Sequence, residues 1–99
     1  MRFTAPANPE RHLEAARLMG VDTRGAGPED AGDLLAGAII KLMRRLGMPN
    51  GLHAVGFERD DIDALVAGTL PQHRVTKLSP RPAGEAELRQ LFLDSMRCW

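Results

Sequence analysis

Apolar residues recur along this chain at steps of three and four, and no stretch alternates apolar and polar positions long enough to make a strand. Asn8-Pro9-Glu10 reads as a helix entry: Asn8 can accept a hydrogen bond from an orphan N–H, and Pro9 has its φ preset for a first turn. Leu13, Ala16 and Met19 follow at helical spacing, and Gly20 is the expected stop. Residues 23–27 are a small-residue loop. Pro28-Glu29-Asp30 then opens the longest helix, with acids at its positive dipole end. Leu34, Leu35, Ala38, Ile39, Leu42 and Leu46 mark one face, while Lys41, Arg44 and Arg45 crowd the last turns and Gly47 ends it. This pattern makes it the central core helix. Leu42 is expected to be buried, so its truncation to alanine would cost roughly 2–5 kcal/mol.

Gly47-Met48-Pro49-Asn50-Gly51 is a turn, and 52–56 is expected to form one short helical turn. Glu58-Arg59-Asp60-Asp61 opens the next helix, with Ile62, Leu65, Val66 and Thr69 on one side and Pro71 closing it. Residues 72–83, with Pro80 and Pro82, read as an irregular loop. Gly84-Glu85-Ala86-Glu87 starts a last helix carrying Leu88, Leu91, Phe92, Ser95 and Met96 along one side. The fold class is all-α: a compact bundle of about five helices. Residues 1–99 are expected to form one helical domain, with 1–7 an irregular lead-in.

Composition narrows the function classes more than it names one. The chain has 99 residues, enough for one modest core and no second domain. Thirteen basic and thirteen acidic side chains cancel, so no overall field draws it to nucleic acid or to an acidic membrane surface. No apolar run approaches the ~20 residues that span a bilayer. The first residues lack a hydrophobic signal core, and the single Cys98 excludes an internal disulfide. The expected compartment is the cytoplasm, with neither nucleic acid nor membrane as partner.

Candidate chemistry is sparse. His12, His53 and His73 lie far apart, with no pair spaced to put two imidazoles on one helix face, so no metal site is expected within the chain. Gly25-Ala26-Gly27-Pro28-Glu29-Asp30 superficially suggests a phosphate loop, but Asp30 stands where the dinucleotide fingerprint needs glycine and the acids would repel phosphate. Glu58, Asp60, Asp61 and Asp63 suit a helix start, and Cys98 has no neighbouring base. No catalytic, cofactor-binding or metal-binding residue is therefore assigned. The exception to this plainness is 72–81. As a connector between helices it is long, and it gathers His73, Arg74, Lys77 and Arg81, which favours a site edge or interface.

One stretch carries further information: Gly68-Thr69-Leu70-Pro71-Gln72-His73-Arg74-Val75-Thr76-Lys77-Leu78-Ser79-Pro80-Arg81-Pro82. It occurs in order with the Leu46-Gly47-Met48-Pro49 stop, the Val55-Gly56-Phe57 turn and the Asp60-Asp61-Ile62 helix start. Together these resemble the C-terminal end of the iron-containing (group III) alcohol dehydrogenases, nearest the hydroxyacid–oxoacid transhydrogenase branch. The likeness runs over about residues 3–99.

The resemblance implies an N-terminal nucleotide-binding α/β domain, a C-terminal helical domain, and a divalent metal between them, often iron and sometimes zinc. It implies hydride transfer between an NAD(P)-type cofactor and an alcohol or hydroxy acid at a metal-polarised carbon. In the transhydrogenase branch, 4-hydroxybutyrate is oxidised to succinate semialdehyde while a 2-oxo acid takes the hydride. The metal-ligand motifs and the glycine-rich motif of the family have no counterpart here. What carries over is a cleft-lining loop of His73, Thr76, Lys77, Ser79 and Arg81, where a cation could meet a substrate carboxylate. The family's usual Asn-Pro-Arg is Ser79-Pro80-Arg81 in this chain, so an asparagine side chain's role is missing. Two readings follow. The chain is the helical domain of a metal- and NAD(P)-dependent oxidoreductase, inactive alone and completed by a missing N-terminal portion. Alternatively it is a non-catalytic interaction module that covers its apolar surface by homo-oligomerisation or with a partner.

Overall fold

The computed structural model describes residues 1–99, apart from the side chain of Val75. The order of elements is α1 (Pro9–Leu18), α2 (Ala31–Arg45), α3 (Ile62–Thr69), the single turn α4 (His73–Thr76) and α5 (Glu85–Asp94). No strand forms among the described residues. The fold is all-α, with four helices of two turns or more where the sequence pattern suggests about five. Contacts sort it into two compact units, 1–46 and 47–99. None of the described helices is long and apolar enough to cross a membrane.

In the first unit α1 packs on α2. The Asn8 side chain accepts from the Arg11 N–H at 3.2 Å, capping α1 over Pro9 as its residues dictate. Gly20 ends that helix in the left-handed region at φ 88°. The buried residues are small: Ala5, Ala16, Ala31 and Ala36, with Leu35 and Gly32. Small side chains let backbones approach closely. A Cβ on Gly32 would lie 3.0 Å from the Arg2 Cα and 3.2 Å from the Ala5 Cβ. Residues 1–7 accordingly lie against α2 as two tight turns, the second spanning Ala5–Ala7. His12 ties them down. Its Nδ1 donates to the Asn8 carbonyl at 2.8 Å, and its Nε2 faces the Thr4 hydroxyl at 2.9 Å.

This burial pattern rotates α2 away from the leucine stripe read from the sequence. Leu35 is on both faces, but Leu42 is 44% exposed and Leu46 is exposed as well. Alanines and a glycine occupy the contact, and periodicity weighs them less than leucines. The expected cost of Leu42→Ala therefore falls to about 1 kcal/mol or less, since much of the side chain already meets water and alanine is the better helix former. The urea midpoint of the variant chain checks this.

In the loop between α1 and α2, Arg24 forks onto Asp22 with Nε–Oδ1 at 2.9 Å and Nη2–Oδ2 at 2.6 Å. That side-chain hydrogen bonding, helped by the Arg24 backbone N–H, holds the Asp22 carboxyl below its ordinary range. The pair's contribution is present above the unfolded carboxyl's pKa of about 3.9 and is lost as pH falls through the lower folded value. Because both groups are exposed, that contribution is small.

In the second unit α3 packs on α5 around Ile62, Val66 and Leu88, with Leu70, Ala83, Phe92, Leu93 and Met96 closing over them. Helix starts in both units use one device: an acid three residues in reaches back to a free N–H. Asp30 accepts from Gly27 at 2.9 Å, Asp61 from Glu58 at 2.8 Å, and Glu87 from Gly84 at 3.0 Å. These carboxylates also face the positive end of the helix dipole.

Candidate functional site

The segment from Leu70 to Gly84 is the part of the second unit that the sequence singled out, and its course follows from its residues. Pro71 lacks an N–H to continue α3, so the chain turns there, with Gln72 N–H donating to Thr69 O at 2.9 Å. Where the sequence suggests an irregular loop throughout, the backbone takes one helical turn first. Thr76 N–H reaches Gln72 O at 3.0 Å and Lys77 N–H reaches His73 O at 3.0 Å. The Thr76 hydroxyl adds a bond to the same Gln72 carbonyl at 3.3 Å. Pro80 and Pro82 then forbid further helix until Gly84.

This course surrounds an open hollow of about 710 Å³. His73, Thr76, Lys77 and Ser79 line it together with Leu70 and Gly84, so four of the five residues proposed for a cleft-lining loop share one surface. Arg81 is not among the lining residues; its backbone N–H donates to the Ser79 hydroxyl at 3.3 Å. Thr76 and Ser79 are half-buried, while His73, Lys77 and Arg81 are exposed. Of Val75, the side chain lies outside the described residues. Leu70 and Ala83 belong both to the hollow's wall and to the core between α3 and α5, which gives a polar rim an apolar, fixed floor. The lining offers an ammonium, an imidazole and two hydroxyls as polar groups. Among the described residues, no hydrogen bond pairs a hydroxyl of this hollow with the His73 ring.

The other two histidines do not join it. His12 serves the N-terminal turns, and His53 Nδ1 lies 3.0 Å from Glu58 Oε1. No three His, Cys, Asp or Glu side chains converge as metal ligands among the described residues. The described side chains of this chain therefore do not by themselves assemble a metal centre.

Sequence reading passed over Asn50. Its Oδ1 accepts from the N–H groups of Cys98 and Trp99 at 2.8 and 2.9 Å, and its amide donates to the Trp99 carbonyl. Asn50-Gly51 after a proline signals a turn; nothing local signals a clasp on residues 48 and 49 positions away.

Comparison with known proteins decides the family. The model for the Fe-containing alcohol dehydrogenase family, C-terminal, matches residues 1–96. This chain belongs to that family. Within the Fe-containing alcohol dehydrogenases, it is 58% identical over 95 residues to a probable mitochondrial hydroxyacid-oxoacid transhydrogenase of Dictyostelium discoideum. It is 53% identical over 97 residues to the mitochondrial hydroxyacid-oxoacid transhydrogenase of Pongo abelii, and 52% identical to that of Homo sapiens. These alignments cover 96% and 98% of the chain but only 17% and 21% of the Dictyostelium and Pongo proteins. The chain thus spans about a fifth of the length of the curated relatives it matches. The resemblance read from Gly68–Pro82 and the flanking helices is confirmed. The cytoplasmic expectation is overturned, since these relatives are mitochondrial by name. A family is recognised by its helical pattern and loops, and a compartment is not encoded in either.

Proposed function

We propose that this chain is the C-terminal helical portion of a hydroxyacid–oxoacid transhydrogenase, contributing scaffold and cleft wall to an enzyme that moves hydride from a hydroxy acid such as 4-hydroxybutyrate to a 2-oxo acid. The observation that carries this reading is identity of 50–58% to proteins of that name across 95–97 of the chain's residues. An NAD(P)-type cofactor and a divalent metal, iron or zinc, would be held by the nucleotide- and metal-binding portion that partners this one. The metal would supply a Lewis acid to the oxygen of the reacting carbon.

The residues of this chain would bind and orient. Lys77 and His73 at the rim of the hollow offer donors to a substrate carboxylate, and the Ser79 and Thr76 hydroxyls can hydrogen-bond it. Leu70 and Ala83 beneath them fix the rim by their place in the core. Alone, the chain has no turnover.

The test adds the family's N-terminal portion to the chain and follows metal content, thermal shift with NAD(H), and conversion of 4-hydroxybutyrate with a 2-oxo acid. Metal and cofactor retention and turnover are expected in the mixture and not in the chain alone. In the active mixture, Lys77→Gln is expected to raise KM for the hydroxy acid about tenfold with a smaller change in kcat. A folded homo-oligomer that never binds cofactor or metal, even in the mixture, would replace this reading with the non-catalytic interaction module.

A further inference from the structure

A second hollow, of about 450 Å³, opens in the unit 47–99 beside His53. We propose that it binds a small oxyanion, a carboxylate or a phosphate, through Arg59 and Arg97.

Both arginines line the hollow, and neither guanidinium has a hydrogen-bond or ion-pair partner among the described residues. The two acids on the same wall each have one oxygen engaged. Glu58 faces the His53 ring at 3.0 Å, and Asp94 accepts from the Gln90 amide at 2.7 Å. The donors of the hollow without a partner among the described residues are therefore the two guanidiniums, and two planar forks suit an oxyanion better than they suit a neutral ligand. With Nδ1 turned to Glu58, the His53 ring leaves Nε2 as a further polar contact.

The hollow is also held in shape. Leu52 N–H donates to Ser95 O at 2.9 Å and His53 N–H to Met96 O at 3.1 Å, so backbone pairing sets the positions of His53 and Arg97. Asn50 clasps the backbone just beyond Arg97, at Cys98 and Trp99. Leu93 and Met96 form the apolar floor and pack at the edge of the core of α3 and α5. A binder whose walls are fixed in advance loses less ordering entropy when the ligand arrives.

The experiment is a titration of the full chain with succinate and, separately, with inorganic phosphate, read from the NMR signals of the His53 ring and the Arg97 amide, with sodium chloride at matched ionic strength as control. Saturable shifts with succinate or phosphate are expected, and the tighter of the two identifies the ligand class. Arg59→Gln and Arg97→Gln, each at an exposed side chain without a partner among the described residues, are expected to keep the parent's unfolding transition and to weaken binding about tenfold. Absence of saturation with both anions, equal shifts with chloride, or unchanged affinity in both variants would overturn the proposal.

Discussion

Gly51→Ala is expected to destabilise the chain by about 3 kcal/mol or more, since it combines backbone strain with a collision that cannot relax cheaply. Gly51 sits at φ 75°, a conformation that L side chains rarely adopt. A Cβ built there lies 2.5 Å from both the Ser95 and the Met96 carbonyl oxygens. Those atoms are backbone and cannot swing aside as a side chain would. Moving them breaks the Leu52-to-Ser95 and His53-to-Met96 bonds and pulls residues 98 and 99 away from Asn50. For a chain of this length the loss corresponds to a drop in Tm of roughly 12 °C or more. Gly56→Ala is the matched control: its φ is 96°, but no heavy atom lies within 4 Å of the added Cβ. It is expected to cost only the strain, about 1–2 kcal/mol. Equal losses for the two variants in thermal melts would show that the close approach at Gly51 does not constrain the fold.

The contrast between these two glycines also measures how far a sequence can be read. Gly20, Gly47 and Gly56 all adopt positive φ at helix or turn ends, where their neighbours already demand a stop. Asn8-Pro9, the acids three residues into each helix start, and Pro71 were equally legible, because caps and breakers act within a few residues. So was the face of Ile62 and Val66. The face of α2 was not, because leucine periodicity marks apolar surface without saying which part of it another helix covers. Alanine and glycine do the covering, as Ala16, Ala31, Gly32 and Ala36 show. Long-range contacts were the least legible. Nothing near Asn50 in sequence announces that its amide meets Trp99, and nothing near His53 announces Arg97. At the candidate site, the loop's composition pointed to His73, Arg74, Lys77 and Arg81, of which His73 and Lys77 line the hollow; Thr76 and Ser79, which also line it, came from the family resemblance alone. The separation of Arg81 from them depends on the bends at Pro80 and Pro82, whose direction composition does not reveal.

Ile62→Ala is the second large expected effect, at roughly 2–5 kcal/mol. Ile62 is 2% exposed and is the largest fully buried side chain in the protein's described residues. It stands at the first turn of α3, where Asp61 has just closed the cap on Glu58, so its position is fixed before the helix begins. Val66 follows one turn later and Leu88 faces both from α5. Alanine leaves a cavity among neighbours held by two capped helices, which limits collapse and pushes the cost toward the upper part of the range. Ile62→Val, which removes one methylene, is expected to cost about 0.5–1.5 kcal/mol. The loss should reach beyond stability. Leu70 and Ala83 pack on this same cluster and also wall the hollow lined by His73 and Lys77. Loosening the core frees the rim that would orient a substrate carboxylate. Urea unfolding measures the first effect, and amide hydrogen exchange across residues 70–84 measures the second, with faster exchange expected in Ile62→Ala and near-parent exchange in Ile62→Val. A stability loss without faster exchange at 70–84 would separate the core from the rim and leave the loop positioned by its own turns alone.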